Sequence, residues 1–240
     1  MTRIFHRLLT TTCLAALTFL AACDKATLDQ MTAFPSSTSA PQPVTEGSTA
    51  SLYLTVVESL IAQGRNRAAL GYLDQYAVSQ STTPRYFKLR GEALLGVGKY
   101  DEAGKAFAEL SGTDLAAAGD NGLGRVDAAK NDWKSAEQHF AAAVTGQPSS
   151  ADYLNNLGFA ELHLGADALP KAEFNLRQAQ ELDPSSSSIR NNLVLALMMS
   201  GKEDDARAVL DGIPTPRERA EVQKFAADWV EARHKPATTE

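Results

Sequence analysis

At 240 residues, 44% hydrophobic and 22% charged, the chain holds enough apolar side chains to bury a sizeable core and is not a disordered or fibrous sequence. Its formal charge of −6 offers no basic footprint for nucleic acid or for an anionic lipid surface. Two cysteines exclude a disulfide-stapled scaffold.

Arg3 and Arg7 open the chain, and an apolar run from Leu8 to Leu20 follows, broken only by threonines and Cys13. A positive start, a short apolar stretch and small residues after it make an export signal, too short to span a bilayer stably. Leu20-Ala21-Ala22-Cys23 then resembles a bacterial lipobox. That resemblance implies cleavage ahead of Cys23, so that residues 1–22 are a lipoprotein signal peptide and Cys23 is the acylated first residue of the mature chain. The alternative is an ordinary signal peptide in which Cys23 is incidental. Cleavage removes Cys13 and both arginines, which moves the formal charge from −6 to −8 and leaves no cysteine pair for a disulfide. Anchoring then falls to the acyl chains, on the periplasmic side of the envelope. The outer membrane is the favoured site. Asp24, which in enteric bacteria goes with retention at the inner membrane, keeps the inner membrane open as the alternative.

Residues 23–49 read as the lipidated cysteine and a flexible tether. Pro35, Pro41, Pro43, Ser36, Ser37 and Ser39 stand there among threonines, with few large apolar residues. A flexible chain of this length has an end-to-end distance on the order of 30 Å, which lets the rest of the protein work away from the lipid surface.

From Ala50 to Ile213 one pattern recurs five times. Gly64, Gly98, Asn131, Gly165 and Gly201 each end a first helix, in steps of 34, 33, 34 and 36 residues. Glycine and asparagine are the residues that accept the left-handed backbone of a helix C-terminus. Ala69, Ala103, Ala136, Ala172 and Ala206 recur in the second helix, and a bulky residue follows each by four: Leu73, Phe107, Phe140, Leu176 and Leu210. Gly91, Gly124 and Gly158 mark a close-contact position at the centre of three first helices, where the outer copies carry Val57 and Val194. A helix-turn-helix unit of this period with a small-residue slot resembles the tetratricopeptide repeat. The resemblance implies an all-α, right-handed solenoid of about five such repeats over residues 50–213. Trp133 stands in place of the usual turn tyrosine, and the turn at 166–171 is two residues longer than its counterparts.

Thr215-Pro216 signals a further helix, over residues 214–234, with Val222, Phe225, Ala226, Trp229 and Val230 along one face. It reads as a capping helix over the last repeat, with partner docking on Trp229 as the alternative. Residues 235–240 read as a disordered tail.

The resemblance also implies a groove lined by the first helices, at the fifth, ninth and twelfth residue of each repeat. In the N-terminal half these are Leu54, Glu58 and Ile61, Lys88, Glu92 and Leu95, and Asn121, Arg125 and Ala128, a set mixed in charge. In the C-terminal half they are Asn155, Phe159, Leu162, Asn191, Leu195 and Met198, which form the candidate partner-binding groove. The asparagines pair with a peptide backbone there and the apolar residues hold its side chains, whether the peptide is extended or helical. Leu195 fits the core as well as the groove, whereas the packing slots around Phe159 and Met198 are already filled. Asn156 and Asn192 suit a clamp for a terminal carboxylate, but the lysines such a clamp uses are missing.

No catalytic or metal motif is present. His139, His163 and His234 have no second ligand at metal spacing, and His139 fits a solvated helix face. Gly96-Val97-Gly98-Lys99 lacks the first glycine and the hydroxyl residue of a phosphate loop, so it reads as a repeat turn. The expectation is therefore a scaffold rather than an enzyme, with no cofactor and no small-molecule substrate. Its partner is expected to be another envelope protein. Lipobox, tether and about five repeats together resemble the TadD-type lipoproteins of tight-adherence (Flp) pilus assembly, which implies assistance to a secretin or another pilus component. An adaptor for outer-membrane protein insertion or for peptidoglycan enzymes is the alternative.

Overall fold

The computed structural model describes residues 46–234, and within them every regular element is a helix. The signal peptide, Cys23, most of the tether and the tail at 235–240 lie outside the described residues. The first repeat unit is α1 (Glu46–Ala62) and α2 (Asn66–Ser79), and the second is α3 (Pro84–Gly96) and α4 (Tyr100–Ala108). The third is α5 (Ala116–Ala129) and α6 (Trp133–Gly146), and the fourth is α7 (Ala151–His163) and α8 (Leu169–Leu182). The fifth is α9 (Ser187–Met199) and α10 (Glu203–Asp211), followed by a last helix, α11 (Pro216–His234). Helix α1 starts at Glu46 rather than at Ala50, so the last residues assigned to the tether are helical. A short 3-10 turn, Ala166–Ala168, takes up the two extra residues of the fourth unit.

Local signals start and stop these helices. Thr83, Ser150 and Ser186 each accept a hydrogen bond from the backbone N–H three residues on, capping α3, α7 and α9, and Pro84 occupies the first turn of α3. Each turn inside a unit has its hinge residue in the left-handed region: Gly64, Gly98, Gly165, Gly201 and, at φ 61°, Asn131. Asn131 is the one residue with a side chain to adopt this backbone among those described, and a Cβ there is tolerated because asparagine is the least strained alternative to glycine.

Packing explains the period. Ala69, Ala103, Ala136 and Ala172 are completely buried, and the bulky residue one turn later lies against the first helix of the same unit. Phe107 covers Gly91, Phe140 covers Gly124 and Leu176 covers Gly158 so closely that a Cβ would come within 2.7, 2.7 and 2.6 Å of them. Each first helix packs on its own second helix and, after α1, on the second helix of the unit before, so the core runs along the array as a chain of clusters. Helix α11 departs from this rule. It packs mainly on α9, a first helix, and less on α10.

Gly158→Ala places a Cβ against Leu176 Cγ at 2.6 Å and the Ala172 carbonyl at 3.2 Å. It is expected to lower stability by about 1–3 kcal/mol in urea denaturation. Gly71, mid-helix in α2 with open space around it, gives the opposite sign: Gly71→Ala is expected to raise stability by about 0.5–1 kcal/mol.

Candidate protein-interaction groove

Three successive first helices, α3, α5 and α7, bring their polar faces together. Lys88 and Glu92, Asn121 and Arg125, and Asn155 and Asn156 line one cleft of about 440 Å³. Tyr153 and Asp152 complete one wall. Asn156 Nδ2 donates to Asn121 Oδ1 at 2.9 Å, and Asn192 Nδ2 donates to Asn155 Oδ1 at 2.9 Å, so asparagine pairs tie α7 to α5 and α9 to α7. Each pair uses one donor and one acceptor. A carbonyl oxygen on one side chain and an amide group on the other remain, which is the complement of a peptide bond. Lys88 and Glu92 face each other at 3.7 Å, one turn apart on α3. Arg125 is exposed, and no carboxylate among the described residues pairs with it.

A second cleft, of about 340 Å³, adjoins the first and shares Arg125 and Asn156 with it. Its remaining walls are apolar: Leu95, Ala128, Trp133, Phe140 and Phe159 among them. Trp133 and Phe159 meet edge to face, 5.8 Å between ring centres and 80° between planes. Behind them the His163 ring stacks on Trp133 at 3.5 Å and 10°, and Trp229 of α11 stands edge-on to His163 at 5.4 Å. Quadrupole attraction favours the two edge-to-face contacts. The C-terminal helix thereby backs the apolar cleft.

The expected groove residues separate into two groups. Lys88, Glu92, Leu95, Asn121, Arg125, Ala128, Asn155 and Phe159, all at the anticipated positions, line the two clefts. Leu162 and Leu195 do not line them: both are 0% exposed and belong to the core. The reason is α11, whose Val222 and Ala226 share their cluster and whose Trp229 and Val230 pack against it. Met198 is half-buried against the same cluster and faces a separate cavity between α10 and α11, lined also by Leu210 and Arg219. Asn191 is half-buried, with an Oδ1 that meets no donor among the described residues. The C-terminal end of the expected groove is therefore filled by the chain's own last helix, and the open part lies one to two units earlier. Trp133, Tyr153 and Tyr100 are additions. Trp133 and Tyr100 stand at the turn position of their units, and only the fold turns them toward α7 and α5.

Two side chains lie in settings the sequence did not reveal. His139 Nδ1 is 2.7 Å from Asp127 Oδ2, so on its partly solvated face it pairs across α5 and α6. Glu161 on α7 is 3% exposed, and Asn175 Nδ2 of α8 donates to its Oε2 at 2.8 Å. Burial pushes its carboxyl up to about 7, against the opposing pull of the Asn175 hydrogen bond. Among the described residues no three His, Cys, Asp or Glu side chains are grouped to hold a metal ion. No helix among them is long and apolar enough to cross a membrane.

Comparison with known proteins agrees with the architecture. The tetratricopeptide repeat model matches residues 57–119 and 121–169. Among solved structures, MamA (residues 41 to the end) from Desulfovibrio magneticus RS-1 is 21% identical, with a TM-score of 0.54 over 73% of this chain and 96% of that one. A thermophilic TPR protein of Thermus thermophilus is 20% identical, with a TM-score of 0.59 over 75% and 97%. Pseudomonas aeruginosa pilF is 15% identical, with a TM-score of 0.61 over 77% and 85%. No curated protein matches the sequence. The chain folds as an all-α solenoid. Its repeats are tetratricopeptide repeats, the architecture of a protein–protein interaction scaffold.

The buried carboxyl gives the array a pH dependence of fixed sign. As pH rises from about 4.5 to about 7 the unfolded chain loses the Glu161 proton while the folded chain keeps it, so stability falls across that window. The melting temperature is expected to drop correspondingly. Glu161→Gln, whose amide oxygen still accepts from Asn175, is expected to remove this part of the slope and to melt higher than the parent above pH 7.

Proposed function

We propose that the protein is a lipid-anchored scaffold facing the periplasm, which captures a segment of another envelope protein in the groove formed by α3, α5 and α7. The observation that carries this reading is the pair of adjoining clefts. One is furnished with free amide edges on Asn121 and Asn156, and the other is walled by Trp133 and Phe159. Backbone recognition by amides and side-chain recognition by an apolar slot are the two requirements for holding a peptide segment. The acyl chains on Cys23 fix the complex to the membrane, and residues 24–45 give it reach. The outer membrane is the site this reading favours.

Within that class the function is assistance to tight-adherence (Flp-type) pilus assembly, by holding the secretin or another assembly component. The order of lipobox, tether and about five repeats supports this. The likeness to Pseudomonas aeruginosa pilF is one of fold, at 15% identity.

Two outcomes are expected. Cys23→Ser moves the protein from the membrane to the soluble fraction, and retention on membranes contradicts the anchor. In co-purification from detergent-solubilised envelopes of the native organism, a secretin is enriched with the parent chain. It is lost when Lys88, Asn121 and Asn156 are all replaced by alanine. Enrichment of outer-membrane insertion machinery or of cell-wall enzymes instead keeps the scaffold and removes the pilus assignment.

A further inference from the structure

The two clefts differ in polarity, and a cation with no carboxylate partner among the described residues stands where they meet. Arg125 and Asn156 line both of them, so Arg125 stands along the groove and not at its end. The surrounding charges are engaged or lie to one side: Lys88 faces Glu92, and Asp152 belongs to the polar cleft alone. Arg85, Arg90, Arg177 and Arg190 each hold a carboxylate of this acidic chain. Arg125 holds none among the described residues, and it is the single charged residue that lines the apolar cleft.

We infer that the groove takes an extended partner segment carrying a side-chain carboxylate beside a large apolar residue. The carboxylate pairs with Arg125, the apolar side chain enters the cleft of Trp133 and Phe159, and the backbone runs along the amides of Asn121 and Asn156. This rests on the groove reading above and adds the chemistry of its occupant. A planar guanidinium binds a carboxylate through two parallel hydrogen bonds, and the neighbouring apolar walls strengthen that pair relative to one in open water. In an extended chain, residues two apart point to the same face, which allows one segment to present both groups to the groove floor. The carboxylate belongs to a side chain and not to a chain terminus because of where Arg125 sits. A chain that ends at Arg125 leaves one of the two clefts empty, whereas a chain that passes over it fills both.

The test uses the full chain in detergent micelles and fluorescence polarisation. One probe set is amidated peptides of about nine residues, with a central Glu and Phe, Leu or Trp two positions to either side. A second set carries Gln for Glu. A third carries Gln and a free C-terminal carboxylate. The Glu set is expected to bind about tenfold tighter than the amidated Gln set. Arg125→Gln is expected to bring the Glu set down to the level of the Gln set and to leave the Gln set unchanged. Arg125 is exposed, so far-UV circular dichroism and melting should not change. Equal binding of the first two sets, with Asn156→Ala weakening both, overturns the carboxylate preference and leaves the groove standing. A gain confined to the free C-terminus overturns the side-chain assignment. Absence of binding by every set, or binding indifferent to both Arg125→Gln and Asn156→Ala, overturns the groove reading and this inference with it.

Discussion

The close seating of one bulky side chain on one glycine sets the geometry of this protein. Where Phe107, Phe140 and Leu176 lie over Gly91, Gly124 and Gly158, the two helices of a unit approach to a distance that a single methyl group would forbid. The buried alanine one turn earlier lets the same pair of helices close along their length. Each unit leaves an apolar edge that only the next unit covers, so the chain has to repeat. Stacking in register then places equivalent positions of successive first helices side by side. The Asn121–Asn156 and Asn155–Asn192 bonds are the visible result, since each links a residue of one unit to the residue just after its counterpart in the next.

Helix α11 decides which part of that face stays open. Had it followed the pattern of the first helices before it, it would sit mainly against α10. It leans on α9 instead, buries Val222 and Ala226 with Leu162 and Leu195, and carries Trp229 to His163. That single displacement converts the C-terminal end of the groove into core and leaves a cavity between α10 and α11. It also gives the apolar cleft a back wall, because Trp133 and Phe159 rest on the ring that Trp229 touches.

What could be read from the sequence follows from what repeats. The turn residues, the alanine slot and its bulky partner recur five times, and a recurrence of that kind survives any single substitution, as Asn131 and Trp133 show. Positions counted from the start of each unit line the two clefts on α3 and α5 and at Asn155 and Phe159 of α7, where the neighbours are also repeats. They fail at Leu162 and Leu195, where the neighbour is α11, because nothing in either segment records that they meet. Glu161 was illegible for a related reason. Its burial depends on α8 lying over α7 with Asn175 opposite, and a glutamate near the end of an amphipathic helix looks like any solvated one. The lipobox and tether are a separate matter, since they are read from motif and composition, and the lipobox and most of the tether lie outside the described residues.

Capture of the partner on the face of the first helices is tested most directly by site-specific photocrosslinking in living cells of the native organism. A photoreactive residue is placed either at Tyr153, which lines the polar cleft, or at Phe174 of α8, which is 61% exposed. The expected result is a crosslink to one envelope protein from position 153, lost on Arg125→Gln, and none to that protein from position 174. A crosslink to the same protein from 174 and not from 153 would contradict capture in the groove.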